Sequence, residues 1–194
     1  NLGQVPDRVK VTLDDTQQTL VVAGSDGKTV ADVPLTPANY VAYRMVIRQN
    51  QLNQELVRLP SAQIPDTDLA WSYMEDAFAI VGLPFDENAT LTQLIDLLAD
   101  RNELHPSGIA NRTLDSLRIG MRRSFFSERM NEIRSTLHEY LPEKLQELLE
   151  VRALFLNGRK ATRADLDKDG THTIKGGAYC TMLPAEQFHI RSNT

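Results

Sequence analysis

The chain has 194 residues, enough for one domain or one domain with an appended β module. With 41% apolar and 24% charged residues it reads as globular rather than disordered, and a net charge of −5 gives it no global pull toward nucleic acid or an anionic membrane. Its single cysteine, Cys180, excludes an intramolecular disulfide and a cysteine-based zinc site, and no run of eighteen apolar residues predicts a transmembrane helix.

No signal peptide is visible. The first residue is Asn1 rather than Met, which fits a processed product, a fragment or a chain written without its initiator. From there the alternation of Val9-Lys10-Val11-Thr12-Leu13 predicts a half-buried strand, and Thr19 to Val22 predicts a second. Ser25-Asp26-Gly27-Lys28 is a turn, because Asp-Gly favours the positive φ that tight turns require. Thr29 to Leu35 predicts a third strand, and Pro34 within it cannot donate to a ladder, so this strand lies at an edge or ends there. A three-strand meander of this kind needs a helix or a partner against its apolar face.

Thr36-Pro37 opens a helix with a capping hydroxyl and a proline at the first helical position. Tyr40, Tyr43 and Ile47 supply its apolar side, and the amide-rich stretch 49–54 either continues or breaks it. Pro60 and Pro65 bracket a loop. Asp66 or Asp68 caps a second helix through Leu69, Trp71, Met74, Phe78 and Val81, closed by Gly82. Asn88 or Thr90 caps a third, with Leu91, Leu94, Ile95, Leu97 and Leu98 on a broad apolar face, stopped at His105-Pro106-Ser107-Gly108. Leu114, Leu117 and Met121 predict a helix from Asn111 toward Arg123. From Ser127 onward Met130, Ile133, Leu137 and Leu141, then Leu145, Leu148, Leu149 and Phe155, predict helix to Asn157-Gly158, with Pro142 kinking it or starting a new one. Beyond lie an expected hairpin over Leu166 to Ile174, a flexible joint at Gly176-Gly177, a short strand over Ala178 to Met182, and an extended tail.

The expected fold class is therefore α+β: a β-meander over 1–36, a body of five or six helices over 37–158, and a β-hairpin with an extended arm over 159–194.

Candidate chemistry is sparse. Asp165, Asp167 and Asp169, followed by Gly170, occupy positions one, three, five and six of a calcium loop, where alternate carboxylates converge on a hard cation. His172 then stands where an aliphatic residue belongs, and Gly176 where the bidentate Glu belongs, so a plain acidic hairpin is the preferred reading and Ca2+ the alternative. Gly27-Lys28-Thr29 echoes the end of a phosphate loop, but Val22 replaces its first glycine and the segment joins two strands, so that reading is rejected. His105, His138, His172 and His189 include no pair at helical metal-site spacing. Asn88-Ala89-Thr90 and Asn111-Arg112-Thr113 match the glycosylation pattern, read as chance without a secretory signal. No nucleophile elbow is present, and the expectation is that the chain is not an enzyme.

One stretch departs from the acidic background. Between Arg112 and Arg134 stand six arginines against Asp115, Glu128 and Glu132. Arg118, Arg122 and Arg129 have spacings compatible with one helical face, with Arg123 beside them, so these four are candidates for an interface or for phosphate binding. Helical ion pairs such as Arg129 with Glu132, or Glu128 with Arg122, are the simpler reading. Phe125 and Phe126 are assigned to the core rather than to base stacking.

The segment Thr90-Leu91-Thr92-Gln93-Leu94-Ile95-Asp96-Leu97-Leu98-Ala99-Asp100-Arg101-Asn102-Glu103-Leu104 resembles one recurrent in tailed-bacteriophage virion proteins. There a short leucine-rich helix ends in an Asn/Arg-rich turn before β modules, and the Asp-Gly hairpins near both ends are similar in style. The resemblance spans 15 residues and carries over no functional residue. It implies a structural protein of a phage particle, in the tail, baseplate, neck or capsid shell, located in the virion or in the cytoplasm before assembly. The expected partners are other protein subunits, in a homo- or hetero-oligomer. The alternative is a nucleic-acid-binding protein using the arginine-rich stretch 112–134, with nucleic acid the less favoured partner.

Overall fold

The computed structural model describes residues 9–53, 57–102, 108–156, 159–160 and 174–193. The fold is α+β, as expected, with six helices and two four-stranded sheets among the described residues. Strands β1 (Lys10–Asp14), β2 (Thr19–Ala23) and β3 (Thr29–Pro34) form the antiparallel meander, in register from Leu13 opposite Leu20 to Leu20 opposite Val33. Alternation puts Val11, Leu13, Leu20, Val22 and Val33 on one face, and all five are fully buried. Gly27 supplies the positive φ of the β2–β3 turn. Pro34 lies opposite Thr19, and the bond from Leu35 N to Gln18 O places Pro34 at a position whose nitrogen points away from β2. No described strand pairs with β3 on its other side, so it is an edge.

Helix α1 (Pro37–Asn53) is the axis of the molecule. Residues 39–47 are buried without interruption, so the helix is enclosed on every side rather than amphipathic. It runs through the amide-rich stretch as far as Asn53 and packs against α2 (Thr67–Val81) and α5 (Arg123–Tyr140). Asp66 caps α2 by accepting from Leu69 N at 2.8 Å, and Gly82, left-handed at φ 70°, ends it. Helix α3 (Leu91–Arg101) starts at Thr90 with a full capping box to Gln93.

Two helical expectations are corrected, over 111–123 and after Leu149, one short strand was not expected, and at Pro142 the second of the two alternatives holds. The stretch 111–123 forms only the short α4 (Asn111–Asp115), then a turn. Gly120 adopts φ 112°, and Met121 pairs with Asp66 through bonds of 2.8 and 2.9 Å. A further strand, β4 (Val57–Arg58), precedes the Pro60 loop. Pro142 starts a separate helix, α6 (Glu143–Leu149), and residues expected to prolong it form strand β5 (Arg152–Leu156).

The second sheet runs β4, β7 (Ile174–Cys180), β5, β6 (Arg159–Lys160), all antiparallel. Gly176 and Gly177, expected to form a joint, lie inside β7. Tyr179 of β7 meets Phe126 of α5 edge-to-face at 4.9 Å, which fastens this sheet to the helices. Of the hairpin expected over Leu166 to Ile174, all but Ile174 lies outside the described residues, its Asp169-Gly170 turn included, and so does Asn157-Gly158.

The expected extended arm is also corrected. Residues 185–187 make one 3-10 turn, and β8 (Phe188–Arg191) adds to the first sheet in parallel with β1, giving the order β3-β2-β1-β8. Val11 stands opposite Phe188 and Asp14 opposite Arg191. Phe188 is buried and its ring lies edge-to-face 6.3 Å from Tyr43 of α1.

Candidate functional site

The four candidate arginines do not share one face. Arg118 precedes Gly120 and lies outside α5. Its Nη2 is 2.6 Å from Asp96 Oδ1 of α3, and its Nε 3.0 Å from Asp115 Oδ1. Arg129, on α5, sits 3.0 Å from Glu128 Oε1 and 3.2 Å from Glu132 Oε1, with its guanidinium 5.5 Å from the Phe125 ring centroid. The expected Arg129–Glu132 pair is thus present, while Glu128 joins Arg129 rather than Arg122. Phe126 is buried in the core and Phe125 packs edge-to-face on Tyr73, as assigned.

Arg122 and Arg123 differ. Both are exposed, and among the described residues neither faces a carboxylate at ion-pair distance. Arg122 is the residue before α5, where its side chain provides no cap, and the first turn contains no acid. Arg123 Nε donates to Pro60 O at 2.8 Å. The two arginines, with Ser124, Ser61, Gln63 and Pro65, line a cavity of about 300 Å3. The paired backbone of Asp66 and Met121 holds its two walls together.

A second cluster was not foreseen. Arg44 and Arg48 stand one turn apart on α1 and meet Asp15, Asp76 and Glu75. Arg44 grips Asp15 with two bonds, Nε to Oδ1 at 3.0 Å and Nη2 to Oδ2 at 3.1 Å, and reaches Asp76 Oδ1 with Nη1. Arg48 donates to Asp76 Oδ2 from Nη2 at 2.8 Å and from Nε at 3.0 Å, and pairs with Glu75 at 3.1 Å. Tyr40 donates its hydroxyl to Asp15 Oδ1 at 2.7 Å. Asp15 and Asp76 are 1% and 0% exposed, so these charges persist in the interior only because each carboxylate is met by a guanidinium. Burial pushes the Asp76 carboxyl up while Arg48 and then Arg44 pull it back. Burial, then the Asp15 bond, pushes the Tyr40 hydroxyl up, so it remains a proton donor.

Next in sequence, Asp14 turns the other way. It accepts from the amides of Thr16 at 3.0 Å and Gln17 at 3.1 Å and pairs with Arg191 of β8. Two adjacent acids on the β1–β2 turn thus hold two different elements, α1 through Asp15 and β8 through Asp14. The sequence signal was present in retrospect: an i, i+4 arginine pair interrupting and closing the apolar run 40–47 of α1, and the acids Glu75-Asp76 inside the apolar run of α2. What it lacked was any indication that these groups converge.

The cluster is a brace. Its buried members, Asp15, Arg44 and Asp76, are turned on one another. Among the described residues no three His, Cys, Asp or Glu side chains form a metal-holding group. Asp165, Asp167 and Asp169 lie outside the described residues, as do His105 and His172. His138 is exposed, with Nδ1 3.0 Å from Gln146 Oε1, and His189 is exposed on β8. Cys180 is buried. No described helix is long and apolar enough to cross a membrane. Comparison with protein-family models, with curated proteins and with solved structures finds no match.

Proposed function

We propose that this chain is a non-enzymatic structural subunit of a larger assembly, a bacteriophage virion component of the tail, baseplate, neck or capsid. The observation that carries the reading is the open edge of β3. The register directs the backbone groups of Asp32 away from β2, the ladder is interrupted by a bulge at Val30, and both side chains are exposed, Val30 at 44%. Unpaired edge groups of this kind recruit strands from other chains. The interior supports the same reading: its charges brace sheet to helix, which gives a stiff body with a reactive margin. Sedimentation velocity over a wide concentration range tests it. Growth of species larger than one chain is expected, and a monomer throughout refutes it.

A second reading keeps nucleic acid as ligand and narrows the arginine set to Arg122 and Arg123, the two candidates not neutralised by carboxylates. Retention on DNA near ~50 mM salt that collapses by ~200 mM and is lost in an R122A/R123A double variant is the outcome this reading requires.

A further inference from the structure

We propose that β8 is an exchangeable strand, and that the edge of β1 which it covers accepts β8 from a second copy of this chain. This rests on the assembly reading above and names its partner.

The strand belongs to one sheet while the strand before it belongs to the other. β7 pairs with β4 and β5, and residues 181–187 cross from there to β1. Thr181, Leu183 and Ala185 within it are buried and Leu183 N donates to Leu148 O of α6 at 3.0 Å, so exchange requires this crossing to lift from α6 before β8 reaches a neighbour's β1. The join is short, covering only the four positions from Val11 opposite Phe188 to Asp14 opposite Arg191. Phe188 is its one deeply buried side chain. The remaining clasp lies toward the surface. Arg191, whose side chain is 62% exposed, meets Asp14; Thr16 meets Asn193; and Asn193 Nδ2 donates to Ile80 O.

The far side of β8 is less open to a new strand. Gln51 Nε2 of α1 donates to Phe188 O at 2.9 Å and to Ala185 O at 3.2 Å, covering the outer rim where another strand would begin. At this rim, association therefore proceeds by replacing β8 rather than by adding beyond it. The segment with a demonstrated fit to β1 is β8 itself: its register, its ring against Tyr43 and its Asp14–Arg191 pair are all satisfied by an identical strand. Exchange of an identical element between copies is a low-cost route to oligomers. Reciprocal exchange closes a dimer, and one-way exchange extends a series.

The test is a cysteine pair, Thr12→Cys with His189→Cys. These positions are directly opposed on β1 and β8, on the face away from the core, and adjacent strands run about 4.8 Å apart, within disulfide reach. One batch of full chains carries only Thr12→Cys and another only His189→Cys, so that in a mixture a 12–189 bond can form only between chains. Peptide mapping after mild oxidation separates it from links through Cys180. The expected result is a 12–189 link that rises about tenfold per tenfold concentration at low occupancy, as mass action requires. Absence of that link in the mixture, with the doubly substituted chain linking only within itself, overturns exchange. Sedimentation of the unsubstituted protein separates the two claims. Assembly with purely intrachain links removes exchange and leaves the assembly reading standing, whereas a monomer with purely intrachain links removes both.

Discussion

Arginine acts in opposite ways at different places in this molecule, and the difference is burial. Arg44 bridges Asp15 and Asp76 out of reach of water, so replacing it by methionine leaves Asp15, among the described residues, with the Tyr40 hydroxyl alone as side-chain partner. Breaking a buried pair from one side costs about 3–5 kcal/mol. We expect Arg44→Met to lower stability by that order in urea unfolding, through a shifted midpoint with little change in slope. Arg118 contacts two acids at comparable distances, but its side chain is 34% exposed and its partners 56%. Exposed pairs contribute at most about 1 kcal/mol. Arg118→Ala is therefore expected to leave the midpoint of the same titration close to that of the parent. Equal losses for the two variants would contradict the brace assigned to Arg44.

Among the elements, those specified by neighbours in sequence were legible and those specified by distant partners were not. The three meander strands, the Gly82 stop and the starts of α2 and α3 follow from turn and cap chemistry within a few residues; the structure contains each and selects Asp66 over Asp68 and Thr90 over Asn88 as the caps. Leu114, Leu117 and Met121 are buried as their helical spacing suggests, yet only five residues there are helical. A ladder to Asp66, more than fifty residues away, overrides the local period. Gly120 permits it: φ is 112°, and a Cβ there would lie 3.0 Å from the Asp66 and Pro65 backbone. Gly120→Ala is expected to destabilise by about 1–3 kcal/mol through strain and displacement. Thermal unfolding would measure it, and an unchanged midpoint would show that the loop yields. The apolar run before Phe155 continues the leucine pattern of α6, but β7 draws it into a strand. The Arg44 brace was hidden for the same reason, since α1, α2 and the β1–β2 turn meet only in three dimensions. Of the arginine candidates, the residues were legible, but their separation by the Gly120 turn was not.

At the scale of the whole molecule, the hold on β8 depends on ionised Asp14. Burial raises this carboxyl, but the Gln17 amide, the Arg191 guanidinium and the Thr16 amide together hold it below its ordinary value. An acid depressed in the folded state stabilises the fold above its unfolded value, about 3.9, and loses that contribution as pH falls through the lower folded value. Hydrogen exchange at the β1 amides should thus accelerate only below about pH 4 relative to an Asp14→Asn variant at matched pH. Acceleration beginning near neutrality would assign the effect elsewhere. The parallel pairing of Val11 with Phe188 has a consequence for synthesis as well, since β1 leaves the ribosome long before the strand that will shield it. Contacts of such wide sequence separation form late. Each nascent chain therefore passes through a period when its first sheet is folded but uncovered, and on crowded polysomes that period is when mispairing with a sibling chain is most dangerous.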